Sequence, residues 1–223
     1  MYTTAFVPSR RNTSLAVRTA GPAEHRAIRE IVTGAYRQYR HELAPGAYSR
    51  YLADLLDLDR HADHGHLYVA EADGRILGSA AFYPDSSVQD FGWPRGWAGG
   101  RALAVHPAAR GRGVASALLT TCERLARNHG APVFAFHTGS FMSHAIALYQ
   151  KFGYSRAPEF DVDLNAHYGA VDAPPALAIA YSRQLGASPN GRACTARIRP
   201  PAPIIEPDGT VGSCRSPAPR HRQ

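Results

Sequence analysis

No apolar run in this 223-residue sequence approaches the ~20 residues a helix needs to cross a bilayer, so no helical membrane span is expected. Arg10 and Arg11 near the N-terminus are not followed by an apolar stretch, so no secretory leader is expected either. Cysteine is scarce. There are three, an odd number without paired spacing, which excludes a disulfide framework and favours a reducing, cytoplasmic setting. Cys122 falls on the apolar face of a helix and reads as a small core residue, whereas Cys194 and Cys214 lie in a Pro/Arg-rich tail. Lysine is nearly missing: Lys151 is the only one, a bias we attribute to coding before function.

The net charge of +7 would suggest a nucleic-acid partner if it were spread over the folded part, and it is not. Residues 1–14 carry two arginines and no acid, and residues 186–223 carry six arginines against Glu206 and Asp208, which leaves the segment between them nearly neutral. The chain therefore divides into a disordered extension at 1–14, a folded domain at 15–185 and a disordered Pro/Arg-rich tail at 186–223. Such a tail can touch acidic surfaces without specificity, and no specific nucleic-acid partner is expected.

The most informative stretch runs from Leu103 to Ala126. Leu103, Ala104 and Val105 form a short apolar run that Pro107 ends, as a buried strand would. From Val114, the apolar residues Ala115, Leu118, Leu119, Cys122, Leu125 and Ala126 recur on one helical face. Between strand and helix stand Arg110, Gly111, Arg112 and Gly113. The first N–H groups of a helix lack internal partners, and the glycines let a ligand approach the backbone. The arginines add forked donors for phosphate oxygens, so the stretch reads as an anion site suited to a pyrophosphate. It is not a P-loop, because no Gly-Lys-Ser/Thr follows, and its glycine spacing is not that of a dinucleotide fingerprint.

Arg110-Gly111-Arg112-Gly113-Val114-Ala115 resembles the Arg/Gln-x-x-Gly-x-Gly/Ala acetyl-CoA loop of the GNAT family of N-acetyltransferases. A second segment, Ala145 to Tyr154, is similar to that family's Ala-x-x-Leu-Tyr-x-x-x-Gly-Phe/Tyr segment. The resemblance covers roughly residues 15–185 and implies an α/β (α+β) acyl-CoA N-acyltransferase fold: a mixed, mostly antiparallel sheet flanked by helices. The chain in order agrees with it. Strands are expected at Leu15–Thr19, Leu67–Glu71, Ile76–Tyr83, Ala98–Val105, Pro132–Thr138 and Ala176–Leu185, with shorter extended pieces at Tyr154–Arg156 and Phe160–Leu164. Helices are expected from Pro22 to about Arg40, from Tyr48 into the His61–His66 segment, from Val114 to Asn128 and from Met142 to Phe152.

The resemblance further implies acetyl-CoA as cosubstrate, no metal, and direct transfer of the acetyl group to an amine. Backbone groups of Leu103, Ala104 and Val105 would pair with the pantetheine arm and stabilise the oxyanion, while the loop from Arg110 to Ala115 would hold the pyrophosphate. Tyr149 would protonate the leaving thiolate. Read without the resemblance, Tyr149 is one amphipathic residue in a core stripe with Ala145, Leu148 and Phe152.

Two departures stand out. The family's glutamate near the start of the fourth strand aligns at or near Gly99, and no acid lies between Phe91 and Val105. The base is thus unassigned among Asp85, His137, Asp161, the His61–His66 cluster and solvent. The asparagine often found three residues before the motif alanine is Met142 here. Tyr36, Tyr39 and His137 are the candidate acceptor-binding residues, with His41, Tyr48, Trp93 and Trp97 nearby in the same reading, and an aromatic-rich pocket would suit a small organic amine, a cationic one included. The expected partner is a small-molecule amine, and a homodimer is compatible with the sequence. Two other readings stay open: a regulatory module of the same fold that binds acetyl-CoA without transfer, and a nucleic-acid-associated protein using its arginine tail.

Overall fold

The computed structural model describes residues 15–186. The extension at 1–14 and the tail beyond 186, with Cys194, Cys214 and the tail arginines, lie outside the described residues.

Strands β1 (Ala16–Thr19), β2 (His66–Ala72), β3 (Arg75–Tyr83) and β4 (Ala98–Val105) pair antiparallel in that order. Asp73 and Gly74, with φ of 55° and 68°, turn β2 into β3, the left-handed pair a two-residue hairpin requires. β5 (Val133–Gly139) lies parallel to β4, and β8 (Leu177–Gln184) pairs antiparallel with β5 and with the short β6 (Ser155–Arg156) and β7 (Val162–Asp163). The result is an eight-stranded, mostly antiparallel sheet.

Side chains alternate across it as the strand period demands. Val69, Ala81 and Tyr83 point to one face, where Ile28, Val32 and Leu55 of α1 (His25–Tyr36) and α2 (Pro45–Leu55) cover them. Phe82, Phe134 and Phe136 point to the other, under Leu118, Leu119 and Cys122 of α4 (Val114–Asn128) and Tyr149 of α5 (Ser143–Lys151). No described helix is long and apolar enough to cross a membrane.

Local hydrogen bonding decides where the structure departs from the periodicity. The first helix tightens into a 3-10 turn at Arg37–Tyr39. The single helix expected from Tyr48 is two, because the Asp57 carboxylate accepts from the Arg60 N–H at 3.1 Å and starts α3 (Leu58–His64) anew. Asp163 does the same for the Asn165 N–H at 3.0 Å, so α6 (Leu164–His167) begins where the sequence reads as extended. The loop from Pro84 to Gly96 contains a 3-10 turn at Ser86–Gln89, and its Phe91 and Trp93 are buried against β5 and β8.

Candidate active site

β4 and β5 touch only at their beginnings. Ala98 pairs with Phe134 and Gly99 with Ala135, after which the ladder ends. β4 remains paired with β3 as far as Val105, and β5 turns its other edge to β8. The facing edges of the two strands therefore diverge, leaving main-chain groups from Arg101 to Val105 without a strand partner on that side. A bulge marks the divergence. Ser79 pairs with Ala104 and Ala81 with Arg101, so β4 carries one residue more than β3, and Ala102 takes a φ of 51°. A left-handed alanine costs on the order of 1 kcal/mol, which the buried sheet around it offsets.

A cleft of about 730 Å³ opens between the strands. Leu103, Ala104 and Val105 form its wall. At one end it meets Arg110, Gly111, Gly113, Val114 and Ala115, whereas Arg112 does not line it. Gly111 and Gly113 have φ of 74° and 80°, and a Cβ on either would meet nothing within 4 Å. It is thus the left-handed backbone, not crowding, that favours glycine at both. Gly113 caps α4 without any side-chain hydrogen bond, so the first N–H groups of that helix point out unsatisfied. The Arg110 guanidinium donates to Gln38 Oε1 at 3.4 Å, which ties the turn to the first helical segment.

Tyr149 reaches the same cleft from α5. Its ring lies 4.1 Å, centroid to centroid, from that of Phe136 on β5. Burial pushes its hydroxyl well above the ordinary tyrosine range, so the group stays protonated at any physiological pH.

The cleft is also walled by Tyr36, Tyr39, Tyr51, Arg101 and His137. The His137 Nε2–H donates to the Phe160 carbonyl at 2.7 Å, and its ring sits 4.5 Å from Trp93. Burial lowers its pKa to about 4, so it is a neutral imidazole with a weak lone pair at Nδ1. Trp93, Trp97, His41 and Tyr48 do not line the cleft; the two tryptophans pack against Phe160 instead. Sequence reasoning missed Tyr51, Phe91 and Arg101. Arg101 alone had a signal, as the one charged residue in an otherwise apolar strand. It is half-buried, donates through Nη2 to Asp54 and to the Tyr168 hydroxyl, and lies over the Phe91 ring at 4.4 Å.

No aspartate or glutamate lines the cleft. Asp85 caps the Ser86–Gln89 turn, Asp161 pairs with Arg156 at 2.5 Å, and His61 is buried against the Tyr83 hydroxyl at 2.5 Å. Among the side chains that the sequence offers as a base only His137 reaches the site, a gap created by packing: a Cβ on Gly99 would lie 2.3 Å from Ser86 Oγ and 3.0 Å from Gln89 Nε2. Among the described residues no group of three or more His, Cys, Asp or Glu could hold a metal.

A sequence profile described as the acetyltransferase (GNAT) family matches residues 26–154. The rat protein named N-acetyltransferase family 8 member 2 is 31% identical over 114 residues, which is 50% of this chain and 49% of that protein. The chain thus spans about half the length of the curated relatives it matches. An N-acetyltransferase from Staphylococcus aureus superposes with a TM-score of 0.54 at 22% identity, over 77% of this chain and 99% of the other. A Salmonella typhimurium protein solved with its cofactor acetyl-CoA superposes with a TM-score of 0.54 at 20% identity, over 81% and 99% of the two chains. These likenesses establish the fold.

Proposed function

The chain belongs to the acetyltransferase (GNAT) family, and we propose that it is an acetyl-CoA-dependent N-acetyltransferase passing acetyl directly to the amine of a small molecule. One observation carries this reading: the parted edges of β4 and β5, the uncapped N-terminus of α4 and the protonated Tyr149 all face one cleft.

Acetyl-CoA, when bound, supplies an acetyl group activated as a thioester. The unpaired edge from Arg101 to Val105 offers main-chain donors and acceptors to a pantetheine arm, as it would to an added strand. The N–H groups from Gly111 to Ala115, with Arg110, suit the pyrophosphate. At the bulge around Ala102 a backbone N–H is freed from the ladder and can receive the charge that develops on the carbonyl oxygen. The amine nitrogen forms its bond to the carbonyl carbon as the carbon–sulfur bond breaks. The Tyr149 hydroxyl gives its proton to the leaving thiolate and regains one from solvent. The ammonium proton of the acceptor passes to water, since no aspartate or glutamate lines the cleft and His137, beside Tyr36 and Tyr51, is a weak base. The buried free thiol of Cys122 suits a reducing, cytoplasmic setting.

The absence of an acid at the acceptor end favours one alternative, an acetyl-CoA-binding module without transfer. Calorimetry of acetyl-CoA binding, wild type against a variant with Arg110→Ala and Arg112→Ala, tests the shared premise. Tight binding that weakens at least tenfold in the variant is expected, and no binding to the wild type overturns both readings. Thiol release with a panel of amines then separates them, because a pure binding module gives none.

A further inference from the structure

A second, smaller cavity of about 40 Å³ lies in the fork where β4 and β5 part. It is lined by Gly100, Arg101 and Ala102 of β4 and by His137, Thr138 and Gly139 of β5, just past the last paired rung, Gly99 with Ala135. All of these but Gly139 also line the cleft, so the small cavity continues the cleft into the fork. Leu55 of α2, Leu164 of α6 and Ala178 of β8, all buried, close its far side together with Phe91.

The polar side chains around it are engaged elsewhere. His137 is neutral and gives its Nε2–H to the Phe160 carbonyl at 2.7 Å. The Thr138 hydroxyl donates to the Met142 sulfur at 3.6 Å. Arg101 is neutralised by Asp54, which lines neither space, and its guanidinium lies over the Phe91 ring at 4.4 Å. The Gln89 amide nitrogen is sealed off from any entering group. An anion would find no uncompensated cation here, and a cation would find no acid. Hydrocarbon, by contrast, gains burial against Leu55, Leu164 and Ala178.

β4 gives direction to what enters. The turn and helix start suited to the pyrophosphate follow its C-terminal end, and the unpaired edge suited to the pantetheine arm runs back from Val105 to Leu103. An arm laid along that edge brings its thioester to the bulge at Ala102. The acyl chain beyond the carbonyl then continues towards Gly100 and into the fork. An attacking amine approaches across the plane of the carbonyl, not along this line, so the space in the fork falls to the acyl group.

We infer that this cavity is an acyl pocket, and that the protein takes the straight-chain thioesters propionyl- and butyryl-CoA in preference to acetyl-CoA. This rests on the acyltransfer reading above and specifies the donor of that same site. The cavity admits about three water-sized groups. The acetyl methyl takes the first place, and one or two further carbons fill the rest. The transfer is otherwise the same: the amine nitrogen bonds to the acyl carbonyl carbon, the carbon–sulfur bond breaks, and CoA leaves as the thiol.

The test is calorimetry on the full chain with acetyl-, propionyl-, butyryl-, hexanoyl- and octanoyl-CoA, which needs no acceptor. Each methylene that enters the pocket should tighten binding about fourfold. Butyryl-CoA is therefore expected to bind about tenfold more tightly than acetyl-CoA, and hexanoyl-CoA, too long for the pocket, to bind less tightly than butyryl-CoA. Ala178→Val narrows the pocket and is expected to bring the butyryl-to-acetyl ratio towards one. Leu55→Val widens it and is expected to move the optimum to a longer chain. An affinity that climbs steadily from acetyl to octanoyl reports an apolar surface and overturns the inference. A series that is flat or tightest at acetyl-CoA overturns it too, as does a profile unchanged in both variants. If a variant does not fold, the wild-type series decides alone. Acetyl-CoA binding without a gain for longer chains sinks this inference and leaves the parent reading standing, whereas no binding of any thioester sinks both.

Discussion

The hydroxyl of Ser86 occupies the space a side chain on Gly99 would need: a Cβ there would lie 2.3 Å from Oγ. Ser86 is fully buried and held by its bond to the Trp97 carbonyl at 2.9 Å, so it cannot step aside cheaply. Gly99→Ala should therefore cost about 1–3 kcal/mol through overpacking. Gly99→Glu should cost more and should not create a working base. Urea midpoints of the two variants check this, and a Gly99→Glu protein as stable as wild type would show the loop to be softer than its packing implies.

Tyr149→Phe keeps the ring against Phe136 and removes only the hydroxyl. With Tyr149 as the acid for the thiolate, kcat should fall about 10²- to 10⁴-fold while acetyl-CoA affinity changes little. Because burial raises the hydroxyl's pKa, wild-type kcat should show no decline from its ionisation below about pH 10. A variant within threefold of wild-type kcat would reduce Tyr149 to a packing residue.

Burial lowers the pKa of both His61 and His137 from 6.5 to about 4. Between those values the unfolded chain binds protons that the folded chain refuses, so stability falls as pH drops from about 6.5 to about 4 and levels off below. Above 6.5 the two contribute no slope. Thermal melts from pH 7 to pH 5 should show this loss, and His137→Gln should remove part of it. The same shift means His137 should add no inflection to kcat/KM near pH 6.5.

Asp54 neutralises the half-buried Arg101 and also accepts from Arg60 at 3.0 Å and from the Tyr168 hydroxyl at 2.7 Å. With side chains 16% and 12% exposed, the Asp54–Arg101 pair is largely cut off from water. Asp54→Ala leaves the guanidinium uncompensated and should cost about 3–5 kcal/mol. Denaturant titration measures it, and a loss below about 1 kcal/mol would mean that water enters the site and replaces the carboxylate.

The strand, glycine turn and helix start that line the cleft were legible in the sequence because they are contiguous. A strand, a turn and a helix N-terminus from Leu103 to Ala115 form their geometry from neighbouring residues, and Gly111 and Gly113 announce the left-handed backbone directly. Helix breaks at Asp57 and Asp163 were missed because a side-chain cap competes with periodicity and wins over a single turn.

The sequence by itself determined the fold class, the order of the strands and the glycine turn that opens α4, since each follows from spacing within a few residues. Tertiary structure alone decided the remaining walls of the cleft. The parting of β4 from β5, the filling of the space beside Gly99 by Ser86 and Gln89, and the pairing of Arg101 with Asp54 join residues from separate segments. Local periodicity carries no record of such contacts, because they are set by how the packed elements close on one another.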